Sequence, residues 1–255
     1  MNILISLIPL CLLFAFGAEA KELYVAPNGD DKVTYAGNSV DSPWKTITQG
    51  VYNLQAGDTL NIRAGVYTPT HSMRVRSDYD NLTYGGDPSY KMNAQTGNAD
   101  APVTIQSYPN EHVIIDLINI STFIHLDNKS YWTFDGLELV NGGAIFLVGQ
   151  NNTSHHNTFQ NLKATSTSGG DNWAVITLIN GNADYTTIKN NILTGPGTGS
   201  DIHQNTSVIY LKTVKNAIIQ NNEISNAPIG IYYKHKTEAV SAQEVNIDIS
   251  FNFIH

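Results

Sequence analysis

The stretch Ile219-Gln220-Asn221-Asn222 decides the fold of this chain, because its pattern recurs along the second half of the sequence. An apolar residue is followed by a polar residue and then, most often, by Asn. The other copies are Phe134-Asp135-Gly136-Leu137, Phe159-Gln160-Asn161-Leu162, Ile188-Lys189-Asn190-Asn191 and Ile249-Ser250-Phe251-Asn252. Their apolar anchors are 25, 29, 31 and 30 residues apart. A spacing of this size is typical of stacked repeats, so we expect one elongated all-β solenoid.

A second strand precedes each repeat, and these strands can also be aligned. They are Ile124-His125-Leu126-Asp127, Ile145-Phe146-Leu147-Val148, Ile176-Thr177-Leu178-Ile179, Ile209-Tyr210-Leu211-Lys212 and Ile231-Tyr232-Tyr233-Lys234. Side chains alternate across a strand, so the second and fourth positions are predicted to point outward. The outward ladders are then His125, Phe146, Thr177, Tyr210 and Tyr232 and, beside them, Asp127, Val148, Ile179, Lys212 and Lys234.

The first 20 residues have the features of a signal peptide. An apolar run at 3–16 is too short to span a bilayer comfortably, and Ala18-Glu19-Ala20 is a small-x-small cleavage pattern. This predicts a secreted or periplasmic domain at 21–255 with no membrane span after cleavage, whereas an uncleaved anchor is the alternative. The one cysteine, Cys11, lies in this leader, so no disulfide is expected in the domain.

The charge of the chain limits its partners. It has 14 Lys and Arg against 22 Asp and Glu, for a net charge of −8, and it has no basic run, which argues against nucleic-acid binding.

We expect a monomer. The chain stops at His255 inside a repeat, and a solenoid needs a terminal cap, so we interpret the domain as truncated at its C-terminus.

One helix is predicted near the N-terminus. Ser42 can cap it, Pro43 suits its first position, and Ile47, Val51 and Leu54 fall on one face. Such a helix could cover the open end of the stack.

The stretch from 69 to 100 has no clear period and is interpreted as irregular. Enlarged turns at 165–173, 193–205 and 236–245 either line a groove or are tolerated insertions.

Several N-terminal segments carry a family resemblance. They are YVAPNGDD (24–31), SPWKTI (42–47), QAGDTLNIRAGVY (55–67), APVTIQSYPNEHVIID (101–116) and SYWTFDGLELVNG (130–142). In this order they resemble secreted right-handed parallel β-helix proteins of the pectin-lyase-like superfamily, which includes several polysaccharide lyases. The resemblance covers roughly Leu23 to His255. It implies a right-handed parallel β-helix with an N-terminal capping helix, while many unrelated chemistries use this scaffold.

Two lysines of the outward ladder suggest chemistry. Lys212 and Lys234 would lie about 4.8 Å apart on adjacent coils, and repulsion between two ammonium groups makes a neutral amine accessible. A neutral Lys can remove the C5 proton of a uronic acid. Lyases of the family that the chain resembles commonly use a Lys base with calcium, which implies Lys234 or Lys212 in that role. The alternative interpretation is two solvated lysines on an exposed sheet.

Further candidates surround this pair. The catalytic set is Lys234, Lys212, Tyr232 and His235, and the substrate-binding set is Tyr210, His125, Lys236 and Trp173. Tyrosine rings in a groove can stack on sugars or donate a proton, although on an ordinary sheet they only cover the backbone. Calcium needs converging oxygen ligands, for which the turns offer Asp171, Asp201, Asn222 and Glu223 without any ordered spacing.

Missing motifs narrow the function. Of the N-T-D, D-D, G-H-G and R-I-K segments of β-helix polygalacturonases, only a D-D pair occurs, at Asp30-Asp31 before the repeats, which argues against a two-carboxylate hydrolase. Arg63, Arg74 and Arg76 are the only arginines, and all precede the later coils. The leading hypothesis is therefore a lyase that cleaves an acidic polysaccharide by β-elimination. The alternative is a non-catalytic carbohydrate-binding or adhesion protein.

Overall fold

The computed structural model describes residues 19–76, 93–150, 152–179, 181–235 and 245–255. The leader up to residue 18 and the candidate Lys236 lie outside these ranges. Within them, no helix is both long and apolar enough to cross a membrane.

Each complete coil contributes one strand to each of three parallel sheets, and the first and last coils contribute fewer. The first sheet has eight strands: β1 (Glu22–Val25), β2 (Thr59–Ile62), β5 (Val103–Ser107), β8 (Trp132–Asp135), β11 (Thr158–Gln160), β14 (Thr187–Lys189), β17 (Ile218–Gln220) and β20 (Asp248–Ser250). The second has seven: β3 (Gly65–Tyr67), β6 (Val113–Asp116), β9 (Glu138–Gly142), β12 (Lys163–Ser166), β15 (Ile192–Thr194), β18 (Glu223–Ser225) and β21 (Phe253–Ile254). The third has six: β4 (Met73–Arg76), β7 (Ile124–Asp127), β10 (Phe146–Val148), β13 (Ala174–Leu178), β16 (Ser207–Lys212) and β19 (Ile229–Lys234).

The chain passes from the first sheet to the second, then to the third, and returns to the first one coil further along. The repeat anchors pair in register, with Phe159 between Phe134 and Ile188, and Ile219 between Ile188 and Ile249. This confirms the repeat, and the architecture is the predicted right-handed parallel β-helix. Apolar side chains from all three sheets fill its interior, where the rings of Phe134 and Phe159 stack with centroids 5.2 Å apart.

The turn between the first and second sheets is the same in five coils, and we call it the Asn corner (136–137, 161–162, 190–191, 221–222 and 251–252). Its first residue adopts the left-handed conformation, with φ of 67°, 54°, 57°, 55° and 56° at Gly136, Asn161, Asn190, Asn221 and Phe251. Gly and Asn tolerate this conformation better than other residues. The repeated Asn therefore answers a backbone requirement of a tight turn.

The second residue of the Asn corner forms a buried ladder in the last three coils. Asn191 Nδ2 donates to Asn222 Oδ1 at 2.8 Å, and Asn222 Nδ2 donates to Asn252 Oδ1 at 2.9 Å. The same amides bond the backbone, since Asn222 Oδ1 accepts from Asn191 N and Asn222 Nδ2 donates to Ile188 O. The ladder thus satisfies amides that a buried turn would otherwise leave without partners.

The N-terminal helix begins later than the sequence predicts. The helical elements are η1 (Tyr35–Gly37), a single 3-10 turn, and α1 (Ile47–Asn53). The N-cap is Thr46, whose side chain accepts from Gln49 N. Ser42 does not cap the helix, because Trp44 is fully buried and bridges to Val25 of β1, which keeps the preceding residues extended. That α1 closes the end of the stack stays a prediction.

Two strand assignments from the sequence were wrong. The stretch interpreted as irregular contains β4, which pairs with β7. In β10 the alignment was one residue out, because Phe146 pairs with Ile124 and Ile176 and is 1% exposed. Phe146 and Val148 therefore point inward, and Leu147 takes the outward position. A run of four apolar residues gives no alternation from which to read the register.

Candidate functional site

The outward face of the third sheet carries the predicted pairs. Tyr210 is in register with Tyr232, and Lys212 is in register with Lys234, on the adjacent strands β16 and β19. The rings of Tyr210 and Tyr232 have centroids 5.4 Å apart. The ladder therefore forms as predicted in these two coils, with each lysine two residues beyond a tyrosine on the same face of the sheet.

The loop at 167–173, between β12 and β13, reaches over this face. Lys234 Nζ donates to Asn172 Oδ1 at 3.3 Å, although the two residues are 62 positions apart in the chain. On the same face, Thr177 and Tyr210 are 5% and 3% exposed. The loop therefore joins the end of β19 to a segment two coils earlier and forms one wall of the candidate site.

The next coil holds this loop in place. Asn205 Nδ2 donates to Asp171 Oδ1 at 2.8 Å, and Thr206 Oγ1 donates to Gly170 O at 3.1 Å. His203 Nδ1 lies 3.8 Å from Asp171 Oδ1 and accepts from Asn205 N. Several hydrogen bonds between the two loops thus restrain the position of residues 170–172.

Tyr210 cannot serve as the predicted sugar platform, because it is 3% exposed. Burial, then the neighbouring Tyr232 and Asp171, raise the pKa of its hydroxyl above the usual range. Tyr210 therefore stays protonated and packs beside the half-buried Tyr232 on the neighbouring strand.

His125 is likewise too buried for the predicted substrate contact. It is 3% exposed and lies in register with Arg74 of β4. All three arginines precede the later coils in the sequence, and β4 puts Arg74 on this same face, at the far edge of the sheet from β19. That position depends on a strand that the sequence pattern did not indicate.

The remaining candidates differ in access. Trp173, the last residue of the loop, is 39% exposed, and Lys234 and His235 are exposed at the end of β19. Lys212 is half-buried. The accessible part of the site therefore consists of Lys234, Tyr232, Trp173 and His235, with Lys212 behind them.

The four predicted calcium ligands do not converge. Asp171 and Asp201 lie in loops that lead into the third sheet, whereas Asn222 and Glu223 lie at the opposite end of the second-sheet strand. Asn222 is 1% exposed and its amide belongs to the Asn ladder, so it cannot bind a metal. Across the described ranges, no group of three or more His, Cys, Asp or Glu residues could hold a metal ion. These four residues therefore do not fit a calcium site.

A third group of polar residues lies at the turn from the third sheet to the first. The rings of Tyr131, His156 and Tyr185 stack in succession with centroids 4.7 and 4.6 Å apart. Burial and the adjacent His155 lower the pKa of His156. These rings cover one another's faces across three successive coils, which gives them a structural role in the turn.

Comparisons with known proteins identify the class to which this fold belongs. Residues 23–192 match the family described as Pel9A-like, right-handed β-helix region. The match covers well over half of the chain, and the chain therefore belongs to the Pel9A-like right-handed β-helix family.

Individual relatives are pectin-degrading enzymes by name. Pectate lyase PEL9 of Emericella nidulans is 30% identical over 138 residues, which make up 48% of this chain and 28% of that protein. The solved structure of pectate lyase Pel9A aligns with a TM-score of 0.52 at 16% identity, over 90% of this chain and 58% of that one. A rhamnogalacturonan lyase aligns with a TM-score of 0.51 at 15% identity, over 92% and 66%. The chain spans less than two thirds of the length of each relative, and the two structural matches support the fold alone.

Proposed function

We propose that the chain binds an acidic polysaccharide and cleaves it by β-elimination next to a uronic acid. The observation that carries the proposal is the register of Lys212 with Lys234 beside Tyr232, on one face of a Pel9A-like β-helix. Two closely spaced cations attract a polyanionic chain, and one of them in its neutral form can act as a base. The names of the relatives, pectate lyases and a rhamnogalacturonan lyase, favour a galacturonate-containing substrate.

Lys234, Tyr232 and Lys212 have separate roles in the proposed reaction. Lys234 is the proposed base that takes the C5 proton of the uronic acid. The electron pair forms the C4–C5 double bond while the C4–O bond breaks, and the leaving oxygen takes a proton from Tyr232 or from water. Lys212 stabilises the negative charge that develops on the uronate carboxylate, or acts as the base in place of Lys234. No step of the proposed reaction uses calcium, because the four candidate ligands do not converge on one point.

Access favours Lys234 over Lys212 as the base. Lys234 is exposed at the end of its strand and is held by a neutral amide, whereas Lys212 is half-buried. Trp173 and His235 are proposed to contact the substrate on either side. As expected for an enzyme that meets plant or algal polysaccharides, the chain is proposed to be exported by its N-terminal leader and to act as a monomer.

Incubation with pectate, alginate and glycosaminoglycans tests the proposal, because each elimination creates a double bond that absorbs ultraviolet light. We expect product with at least one acidic polymer, and loss of product with Lys234→Met. Lys189→Met, on the outward face of the first sheet, is the matched control and should retain activity. Absence of product with every acidic polymer would refute the lyase proposal, and glycan binding without turnover would support the non-catalytic alternative.

A further inference from the structure

The contact between Lys234 and Asn172 has the chemistry of a support for a base. Asn172 Oδ1 is a neutral acceptor 3.3 Å from Lys234 Nζ. An amide oxygen can accept from either an ammonium or a neutral amine, so it orients the nitrogen without strongly favouring the charged form. A carboxylate in the same place would hold the lysine protonated.

Asn172 is itself held by its backbone and by the next coil. It adopts the left-handed conformation, with φ of 60°, at the end of the loop that reaches over the third sheet. The loop is fixed on the other side by the 2.8 Å bond from Asn205 to Asp171. The loop also packs closely against the next coil at Gly169, where a Cβ would lie 2.8 Å from Thr206 Oγ1.

We propose that Asn172 is a positioning residue for Lys234, and that the Asn205–Asp171 bond fixes the loop that presents it. The inference rests on the proposed function and adds to it a residue that does not touch the reacting atoms. The arrangement joins three coils, since Asp171 and Asn172 belong to one coil, Asn205 to the next, and Lys234 to the one after. Geometry rather than charge is what Asn172 contributes.

Kinetics of two substitutions at one position test the inference. Asn172→Ala removes the acceptor, and we expect kcat to fall about tenfold with KM changed less than about twofold, as for a misplaced catalytic group. Asn172→Asp keeps the acceptor but adds a charge that stabilises the ammonium. We therefore expect the acid limb of the kcat profile to move to higher pH, with activity recovered in alkaline solution. Asn190→Gly, a left-handed position at the Asn corner, is the control.

The possible results separate the inference from the proposed function. An unchanged kcat in Asn172→Ala, or an unmoved pH profile in Asn172→Asp, would overturn the positioning role. A change confined to KM would overturn it as well, because it would assign Asn172 to substrate contact. If the unaltered chain makes no product, the proposed function fails and the catalytic role with it. The contact is then tested by NMR titration of the chain with ¹³C-methylated lysines. The signal that disappears in Lys234→Met belongs to Lys234, and its titration midpoint must rise in Asn172→Asp.

The loop bond has its own test. Asn205→Ala should lower kcat less than Asn172→Ala does, because it loosens the loop without removing the acceptor. The same Asn172→Asp shift measured in the Asn205→Ala background should become smaller. An undiminished shift would show that the Asn205–Asp171 bond does not fix Asn172 and would overturn that part of the proposal.

Discussion

The Asn corner and the loops that lead into the third sheet lie at opposite ends of the second-sheet strands, and they use polar side chains in opposite ways. At the Asn corner the turn has the same length in five coils, and buried amides bond one another and the backbone. At the other end the connection is short after β9 and long after β12 and β15, and its polar groups reach across coils to exposed side chains.

The difference shows how one scaffold separates stability from chemistry. A buried amide needs all its partners in place, so the Asn corner tolerates little change. A surface loop can vary in length without exposing the core, so that the opposite corner can accommodate groups for binding and catalysis. Substitutions at the Asn corner should therefore change the free energy of unfolding, and substitutions at the site should change turnover.

The largest expected effect on stability is at the centre of the ladder. Asn222→Ala removes the hydrogen bonds that Asn222 makes to Asn191, Asn252 and Ile188 O. Leaving these buried groups unpaired should lower the free energy of unfolding by about 3 kcal/mol, measured by urea denaturation. Asn221→Gly, whose φ of 55° suits glycine, is the control and should change it by less than about 1 kcal/mol. Equal losses in both variants would contradict the importance of the ladder.

Phe251 is the exception within the Asn corner and offers the next largest change. It is 84% exposed in the left-handed conformation that Gly or Asn occupies in the other coils. Phe251→Asn should raise the free energy of unfolding by about 1 kcal/mol, because it relieves backbone strain. Phe251→Ala removes the exposed ring but keeps the strain. If the two variants are equally stable, exposure of the ring and not the backbone is the problem at this position.

A buried lysine at the turn from the third sheet to the first predicts a smaller, pH-dependent effect. Lys129 is 5% exposed and its ammonium donates to Ala94 O. Burial lowers its pKa, so the folded chain binds fewer protons than the unfolded chain between that lowered value and the usual one. Its contribution to stability therefore rises with pH through this window.

Comparison with Lys129→Met isolates the pH-dependent contribution of Lys129 to the free energy of unfolding. The free energy of unfolding of the unaltered chain, minus that of the variant, should increase as the pH rises from the lowered pKa of Lys129 toward the usual lysine value. Lys189→Met accounts for the loss of one lysine elsewhere on the chain. A difference that falls with rising pH would show that the ammonium form of Lys129 is favoured by folding, contrary to the prediction.

The smallest expected change in stability is at the site itself. Lys234→Met removes one exposed hydrogen bond, so the free energy of unfolding should change by less than about 0.5 kcal/mol while turnover is lost. The same urea denaturation measures it. A loss comparable to that of Asn222→Ala would mean that Lys234 has a structural role, and the contrast between the two corners would fail.

The fold was predictable because the repeat can be recognised in the sequence from regularly spaced apolar residues and from residues that suit a left-handed turn. The register of β10 was not, because Ile145 to Val148 are all apolar. The strand β4 was missed since Met73 to Arg76 stand alone in a region without repeats. The start of α1 was misplaced because the burial of Trp44, a tertiary effect, overrides the local capping signals of Ser42 and Pro43.

The candidate site was predictable only where it follows the strand pattern. Counting along β16 and β19 was enough to pair Lys212 with Lys234. Burial of Tyr210 and His125 depends on what covers the sheet, which strand alternation does not report. The contact of Asn172 with Lys234 crosses two coils through an irregular loop, and no spacing in the sequence indicates it.

The Asn ladder also determines how proteins of this design can change in length. Along the ladder, each Asn amide donates to the Asn of the following coil, and Asn222 also accepts from the Asn of the preceding coil, so every rung presents the same pair of groups to the next. Insertion or deletion of a complete coil restores the match, whereas part of a coil leaves a rung out of register. Viable length variants should therefore differ by whole turns of the chain, each adding about 4.8 Å along the axis.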